Sequence, residues 1–320
     1  MKKKHLITTS AVVAIAAATI VTSCLQEEHR PVVLHTPQAE GPQPTVLGKK
    51  LKNPFAVETM RQAYANLQRG AVGRTHSDEL DIRTTHLYVK FIPKDSTEVD
   101  VLERNEQLEL YDYPLDYEIE TPGNYYHDPN VPLGSPTPKY TAVPVDFEFD
   151  PAIGYEVLAE LYLPKTDTIS SGGRANRNSF LEQLEDEAMS ITGNLSDASA
   201  ANGRTQRSRY HPQGYIRVRN TSTGKLEGVP NVKARVRRWF EVRTAMTDND
   251  GYYWIDETFR RDVNYGVQFE NHQALIRPAW ISFGPAFIDG PKGGDTWDYN
   301  CERGYDSYLW STIMRAVYDY

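Results

Sequence analysis

The chain has 320 residues, of which 39% are hydrophobic, 11% aromatic and 24% charged, and a formal net charge of −8. That balance describes a folded, Tyr-rich protein and excludes a low-hydrophobicity disordered chain or a collagen-like repeat. At about 150 residues per domain, the length suggests two or three domains.

Lys2, Lys3 and Lys4 form a positive start, Leu6 to Val21 is apolar and Ala-rich, and Val21-Thr22-Ser23 leads into Cys24. The apolar run falls short of the roughly 20 residues that span a bilayer. These residues resemble a bacterial lipoprotein signal with its lipobox. The resemblance implies that residues 1–23 are removed and that Cys24 carries the lipid, palmitate included. Each buried CH₂ contributes roughly 0.8 kcal/mol, so two or three acyl chains hold a protein at a membrane. It also implies an outer-membrane anchor, with the fold facing the periplasm or the cell surface. Glu27 and Glu28 are similar to the export tag of surface-displayed lipoproteins. With Cys24 committed to lipid, Cys301 has no disulfide partner and is expected as a buried structural thiol.

Residues 24–50 are rich in Pro, Gln, Gly and Glu and read as a flexible tether. Residues 51–165 read as a small α/β domain. Asn53 and Pro54 suit a helix start, with Val57, Met60, Tyr64 and Leu67 on one face and Gly70 at the end. Leu87, Val89 and Phe91 alternate in a strand over His86 to Ile92. Asp95 with Glu98 is a capping-box-like start for a short helix carrying Val99 and Leu102. A strand is expected at Leu108 to Tyr111, a long loop from Tyr113 to Pro138, and a strand at Tyr140 to Phe149. Asp150-Pro151 then opens an expected helix with Tyr155, Leu158 and Tyr162 inward. This order of elements resembles ferredoxin-like folds, including peptidase propeptides.

Residues 166–212 read as a polar linker with one helix near Phe180 to Ile191. The acids Glu182, Glu185, Asp186 and Glu187 on that helix are expected on a solvated face. Residues 213–271 show the clearest two-residue period: Ile216 and Val218, then Val232, Ala234 and Val236, then Tyr265, Val267 and Phe269. With turns at Thr223-Gly224 and Asp248 to Gly251, this argues for an antiparallel β-sandwich. At Gly228-Val229-Pro230-Asn231-Val232 and Thr247 to Tyr253 the chain resembles carboxypeptidase-regulatory-like, transthyretin-like domains. The resemblance implies a scaffold or adhesion module. Residues 272–320 form an aromatic-rich segment ending in a helical pattern from Tyr308 to Tyr320 that stops without a cap, as though cut. The fold class expected is therefore α+β, a small α/β unit followed by a β-sandwich.

Charge is distributed unevenly. Asp95 to Glu160 holds sixteen acids against Arg104 and Lys139, whereas Gly203 to Arg243 holds eleven Lys and Arg against Glu227 and Glu241. Arg217, Arg219, Lys233, Arg235 and Arg237 alternate with apolar residues. They are the candidate face for the acidic domain or for an external polyanion.

No chemistry emerges as clearly. Asp248, Asp250, Gly251 and Glu257 fit part of a calcium loop, but Met246 stands at its first position, so a hairpin turn is the better reading. The histidines, His127 beside Asp128 and His211 included, show no ligand spacing, and no nucleophile elbow, Walker loop or dinucleotide fingerprint occurs. No catalytic residue, metal or cofactor is expected, and nucleic acid is not an expected partner. Exposed Tyr and Trp suit sugar rings. Expected partners are thus the lipid membrane through Cys24 and an envelope polyanion or glycan. The chain reads as a membrane-anchored binding, adhesion or scaffold module. The alternative is the accessory, propeptide-like part of a larger secreted hydrolase, such as a metallopeptidase, with its catalytic residues beyond Tyr320.

Overall fold

Strand β1 (Val46–Lys50) opens the fold by pairing antiparallel with β3 (Tyr117–Thr121). In this computed structural model, residues 42–70, 80–164, 172–195, 209–278 and 283–320 are described. The expected tether therefore ends sooner than Lys50: Thr45 is already buried, and its N–H donates to Tyr125 O. The signal, Cys24 and the tether as far as residue 41 lie outside the described residues.

Helix α1 (Val57–Gly70) buries Met60 and Ala63. It begins later than Asn53, whose Oδ1 instead accepts the Phe55 N–H in the preceding turn. Strand β2 (His86–Ile92) and helix α2 (Ser96–Glu103) follow. Asp95 caps α2 by accepting the N–H groups of Thr97 and Glu98, and Val99 and Leu102 are the buried pair.

Strands β4 (Lys139–Pro144) and β5 (Gly154–Leu161) flank β2 in an antiparallel sheet of order β4-β2-β5. β5 corrects the helix expected after Asp150-Pro151. Ala, Leu and Glu there favour a helix locally, but pairing with β2 from His86↔Leu161 to Ile92↔Gly154 outweighs that preference. At Leu108 to Tyr111 the expected strand reduces to a single bridge, Tyr111↔Tyr140. The expected long loop contains β3.

Helix α3 (Gly172–Thr192) contains the helix expected near Phe180 to Ile191 and starts earlier, and within the expected polar linker it buries Leu181, Leu184, Ala188 and Met189 against α1 and its neighbours. Its acids do not form a solvated face. Glu182 pairs with Arg209, Glu185 with Arg238, and Asp186 with both Arg260 and Arg261. Burial pushes Asp186 up, but those two guanidiniums outweigh it and hold the carboxyl below its ordinary value.

Two further sheets hold the C-terminal half. One has the order β10-β6-β13, with β6 (Gln213–Arg219), β10 (Tyr252–Trp254), β13 (Tyr299–Cys301), and β7 (Leu226–Gly228) added to β6. The other has the order β12-β11-β8-β9, with β8 (Lys233–Arg238), β9 (Glu241–Met246), β11 (Val263–Gln268) and β12 (Phe287–Gly293). Ile216, Val218 and Tyr253 from the first meet Ala234, Val236 and Val267 from the second in one core. The C-terminal segment completes both sheets, since β12 pairs with β11 and β13 pairs in parallel with β6. Helix α4 (Asp306–Asp319) adds Trp310 and Met314 to the same core.

Gly251 makes the hairpin before β10 possible. It sits at φ +77°, and a Cβ there would lie 2.1 Å from Ile216 O. The whole is a mixed α+β fold dominated by antiparallel sheets. The described residues pack as one unit, and the core around Phe55, Tyr88 and Leu184 takes in Phe240 from the β8–β9 turn. Phe240 lies 4.8 Å from the Tyr88 ring and Trp239 6.4 Å from Phe55.

Candidate functional site

The five cations expected to share one face are divided between two sheets. Arg217 and Arg219 belong to β6, and Lys233, Arg235 and Arg237 to β8.

Arg235 and Arg237 on β8 do not face water. Ala234 and Val236 point into the two-sheet core, and the opposite face of β8 is covered by the segment Leu110–Leu115. Arg235 is 3% exposed and Arg237 2%. The Arg235 guanidinium stacks 4.2 Å from the Tyr111 ring, donates to Leu110 O and lies 3.8 Å from Asp289. Arg237 donates to Leu115 O at 2.9 Å and to Trp239 O at 3.1 Å. Asp289 in turn accepts from the hydroxyls of Tyr113 (2.8 Å) and Thr45 (2.7 Å). Burial pushes the Asp289 carboxyl up, while Arg235, the two hydroxyls and Arg237 pull it down. This corrects the expectation of a polyanion-binding face at Arg235 and Arg237: both are interior groups, spent on carbonyls, rings and one carboxylate.

Beside them, Lys139 pairs with Asp112 and, at 3.4 Å, with Glu103. Burial disfavours this ammonium, but Asp112 and Glu103 outweigh it and raise its pKa. Burial also pushes Glu103 up to about 6, against the pull of Lys139. The cavity that Glu103, Asp112, Arg235 and Gln268 share measures only ≈ 10 Å³, about one water molecule. The cluster is therefore closed to any larger ligand. Lys233 pairs with Glu270 at 2.6 Å and approaches Glu109 at 3.8 Å.

The outward face of β6 is different. Tyr215 pairs across the ladder with Tyr252, their ring centroids 5.2 Å apart. Trp254, two residues along β10 on the same face, is 43% exposed and stacks on His211 at 4.4 Å and 22°. The His211 Nδ1–H donates to Ile255 O, which fixes the imidazole behind the indole. Arg217 lies 4.0 Å over Tyr215 and 4.0 Å from Asp298. Asp298 also accepts the Tyr215 N–H. Arg219 makes two bonds to Glu302, at 2.6 and 2.7 Å. Tyr252 donates its hydroxyl to Gln213 at 2.7 Å, and its pKa is raised by burial and then by Tyr215 and Asp248. Cross-strand aromatic pairs and a stacked guanidinium stabilise such a surface without closing it.

The remaining candidates are structural. Asp248 accepts the N–H groups of Asp250 and Tyr252 within the hairpin, and Glu257 pairs with Arg243, so the calcium-like residues are used separately. Cys301 is fully buried, and burial pushes its thiol up to about 12. His127 contacts Val131 O, while Asp128 accepts the Asn130 N–H. Among the described residues, no group of three or more His, Cys, Asp or Glu is arranged to hold a metal ion. Among them also, no helix is long and apolar enough to cross a membrane.

Sequence reasoning picked Arg217 and Arg219 for this face but missed Tyr215, Tyr252 and Trp254. The signal was present: they occupy the positions alternating with the inward Ile216 and Tyr253.

No protein-family model matches the chain, and no curated protein matches it. Among solved structures, a 9R-lipoxygenase from Cyanothece PCC8801 is similar over 32% of this chain at 15% identity, with a TM-score of 0.16. The chain spans only 18% of that protein's length. That likeness is too slight to carry a statement about fold or activity.

Proposed function

We propose that the chain is a lipid-anchored protein of the bacterial envelope whose folded part is a binding, adhesion or scaffold module rather than an enzyme. The observation that carries this reading is the sequence Met1 to Cys24, with its three lysines, short apolar run and terminal cysteine. The acyl chains on Cys24 place the protein at the outer membrane, on its periplasmic or outer side. The residues after Cys24 give the fold reach from the lipid surface. The pair of sheets built on β6 and β8 serves as the transthyretin-like scaffold, and its outward β6 face is the binding surface. The interior guanidiniums of β8 support that choice, because of these two strands they leave β6 as the one whose outer face meets solvent, with Trp254 exposed beside it.

The test is metabolic labelling with radioactive palmitate. The wild-type protein incorporates label and partitions into detergent, and Cys24→Ala abolishes both. Label retained by Cys24→Ala sinks the reading.

A further inference from the structure

We propose that the outward face of β10, β6 and β13 binds a neutral glycan chain through its pyranose rings. The inference rests on the reading of this fold as a binding module and adds the chemistry of the ligand.

Three observations carry it. The first is the rings. Trp254 is held in a fixed plane by His211 stacked on one side, yet remains 43% exposed. The core beneath is built from Ile216, Tyr253 and their neighbours, so the packing of the two sheets makes no use of this indole. Tyr252 and Tyr215 continue the aromatic surface across two strands. Side chains two residues apart on one strand stand roughly 7 Å apart, so Tyr252 and Trp254 offer successive platforms along β10. The C–H faces of pyranose rings are apolar and weakly positive, which matches the negative face of an aromatic ring.

The second is the polar rim. Asp298, Asn300 and Arg217 line the same face beside the rings. They supply an acceptor, an amide and a donor in alternation. A polyhydroxyl ligand needs both donors and acceptors, because each hydroxyl donates one bond and accepts others.

The third is charge. Arg217 is balanced by Asp298 and Arg219 by Glu302. A polyanion would have to displace a carboxylate at each position, so the surface is matched to an uncharged ligand. The more basic strand, β8, has Arg235 and Arg237 buried and offers nothing to a polyanion either.

The test uses the full chain in detergent on an array of neutral polysaccharides (β-glucans, α-glucans, mannans and xylans), with heparin as the polyanionic probe. At least one neutral class is retained and quenches indole fluorescence. Its affinity is unchanged between low and high salt, since no ion pair forms. Trp254→Ala and Tyr252→Ala each weaken binding by about tenfold or more, as expected for exposed aromatic anchors, with unchanged thermal melting. Absence of retention on every neutral glycan overturns the proposal, as does binding that survives Trp254→Ala. Retention on heparin alone overturns it in favour of a polyanion. Self-association that Trp254→Ala abolishes, seen by sedimentation, overturns it in favour of a second copy. Palmitate labelling is read separately, so failure here leaves the anchor standing and failure there leaves the glycan result standing.

Discussion

Strands β6 and β8 carry the same local pattern, Ile216-Arg217-Val218-Arg219 against Ala234-Arg235-Val236-Arg237, and end in opposite surroundings. On β6 the arginines lie at the surface, paired with Asp298 and Glu302, on a face that carries the half-buried Tyr215 and Tyr252 and the exposed Trp254. On β8 they are interior, pressed between Tyr111, Tyr113 and Asp289. Alternation reports which side chains meet the core of their own two sheets. It says nothing of what covers the other face. A strand with a polar face becomes a buried strand when another layer packs carbonyls, rings and carboxylates against it, even though Arg235 Nε, Arg237 Nε and Arg237 Nη2 make no hydrogen bond among the described residues.

The sharpest way to break this contrast is to invert one charge on each strand. Arg235→Glu places a second carboxylate beside Asp289 away from water and removes the donor to Leu110 O. Breaking a buried pair costs about 3–5 kcal/mol, and the added repulsion raises that, so the variant should fail to fold. Arg217→Glu, at the surface, should change stability by about 1 kcal/mol or less. Urea denaturation of both decides it, and equal small effects would mean that the outer face of β8 is open to water.

Phe240→Ala probes how the β8–β9 turn joins the β-rich core to the helical one. Truncating a buried Phe costs about 3–5 kcal/mol. The ring contacts Tyr88 and Phe55, so the loss should appear as one cooperative shift of the whole melting curve. Two separate transitions would instead show the halves unfolding independently.

Asp289→Ala tests whether the interior arginine is held by its carboxylate or by the rings. It leaves Arg235 without its anion and the Tyr113 and Thr45 hydroxyls without their acceptor, at an expected cost of about 3 kcal/mol. Asp289→Asn keeps an acceptor for those hydroxyls and should cost less. Equal costs by chemical denaturation would assign the whole effect to the lost charge.

The smallest effect is the pH dependence of Glu103. Its pKa is raised from 4.5 to about 6, so between those values the folded state holds a proton that the unfolded state has released. Stability from this group is therefore present below pH 4.5 and declines as pH rises through about 6, by about 2 kcal/mol in all. Glu103→Gln should flatten that part of the pH–stability profile, read as melting temperature from pH 4 to 7. An unchanged profile would show that Lys139 already holds Glu103 ionised throughout.

Much of the local structure was legible in the sequence because it depends on neighbours in the chain. Asp95 and Glu98 announced α2, Asp248 to Gly251 announced a hairpin, and the alternation at 216–218, 232–236 and 265–269 marked the inward residues. Cys301 followed from the lack of a partner. What depended on distant chain was hidden. Gly154–Leu161 is a strand because β2 pairs with it, although its composition favours a helix. The acids of α3 meet Arg209, Arg238, Arg260 and Arg261, none of them near in sequence. Trp254 and Tyr215 share a face only because β10 lies beside β6. By itself the sequence determined the turns and caps and the inward residues of β6, β8 and β11, because these follow from backbone preferences and a two-residue period. Tertiary structure alone decided which arginines reach water and which rings stand together, because burial is set by what packs on top and no local pattern encodes the covering layer.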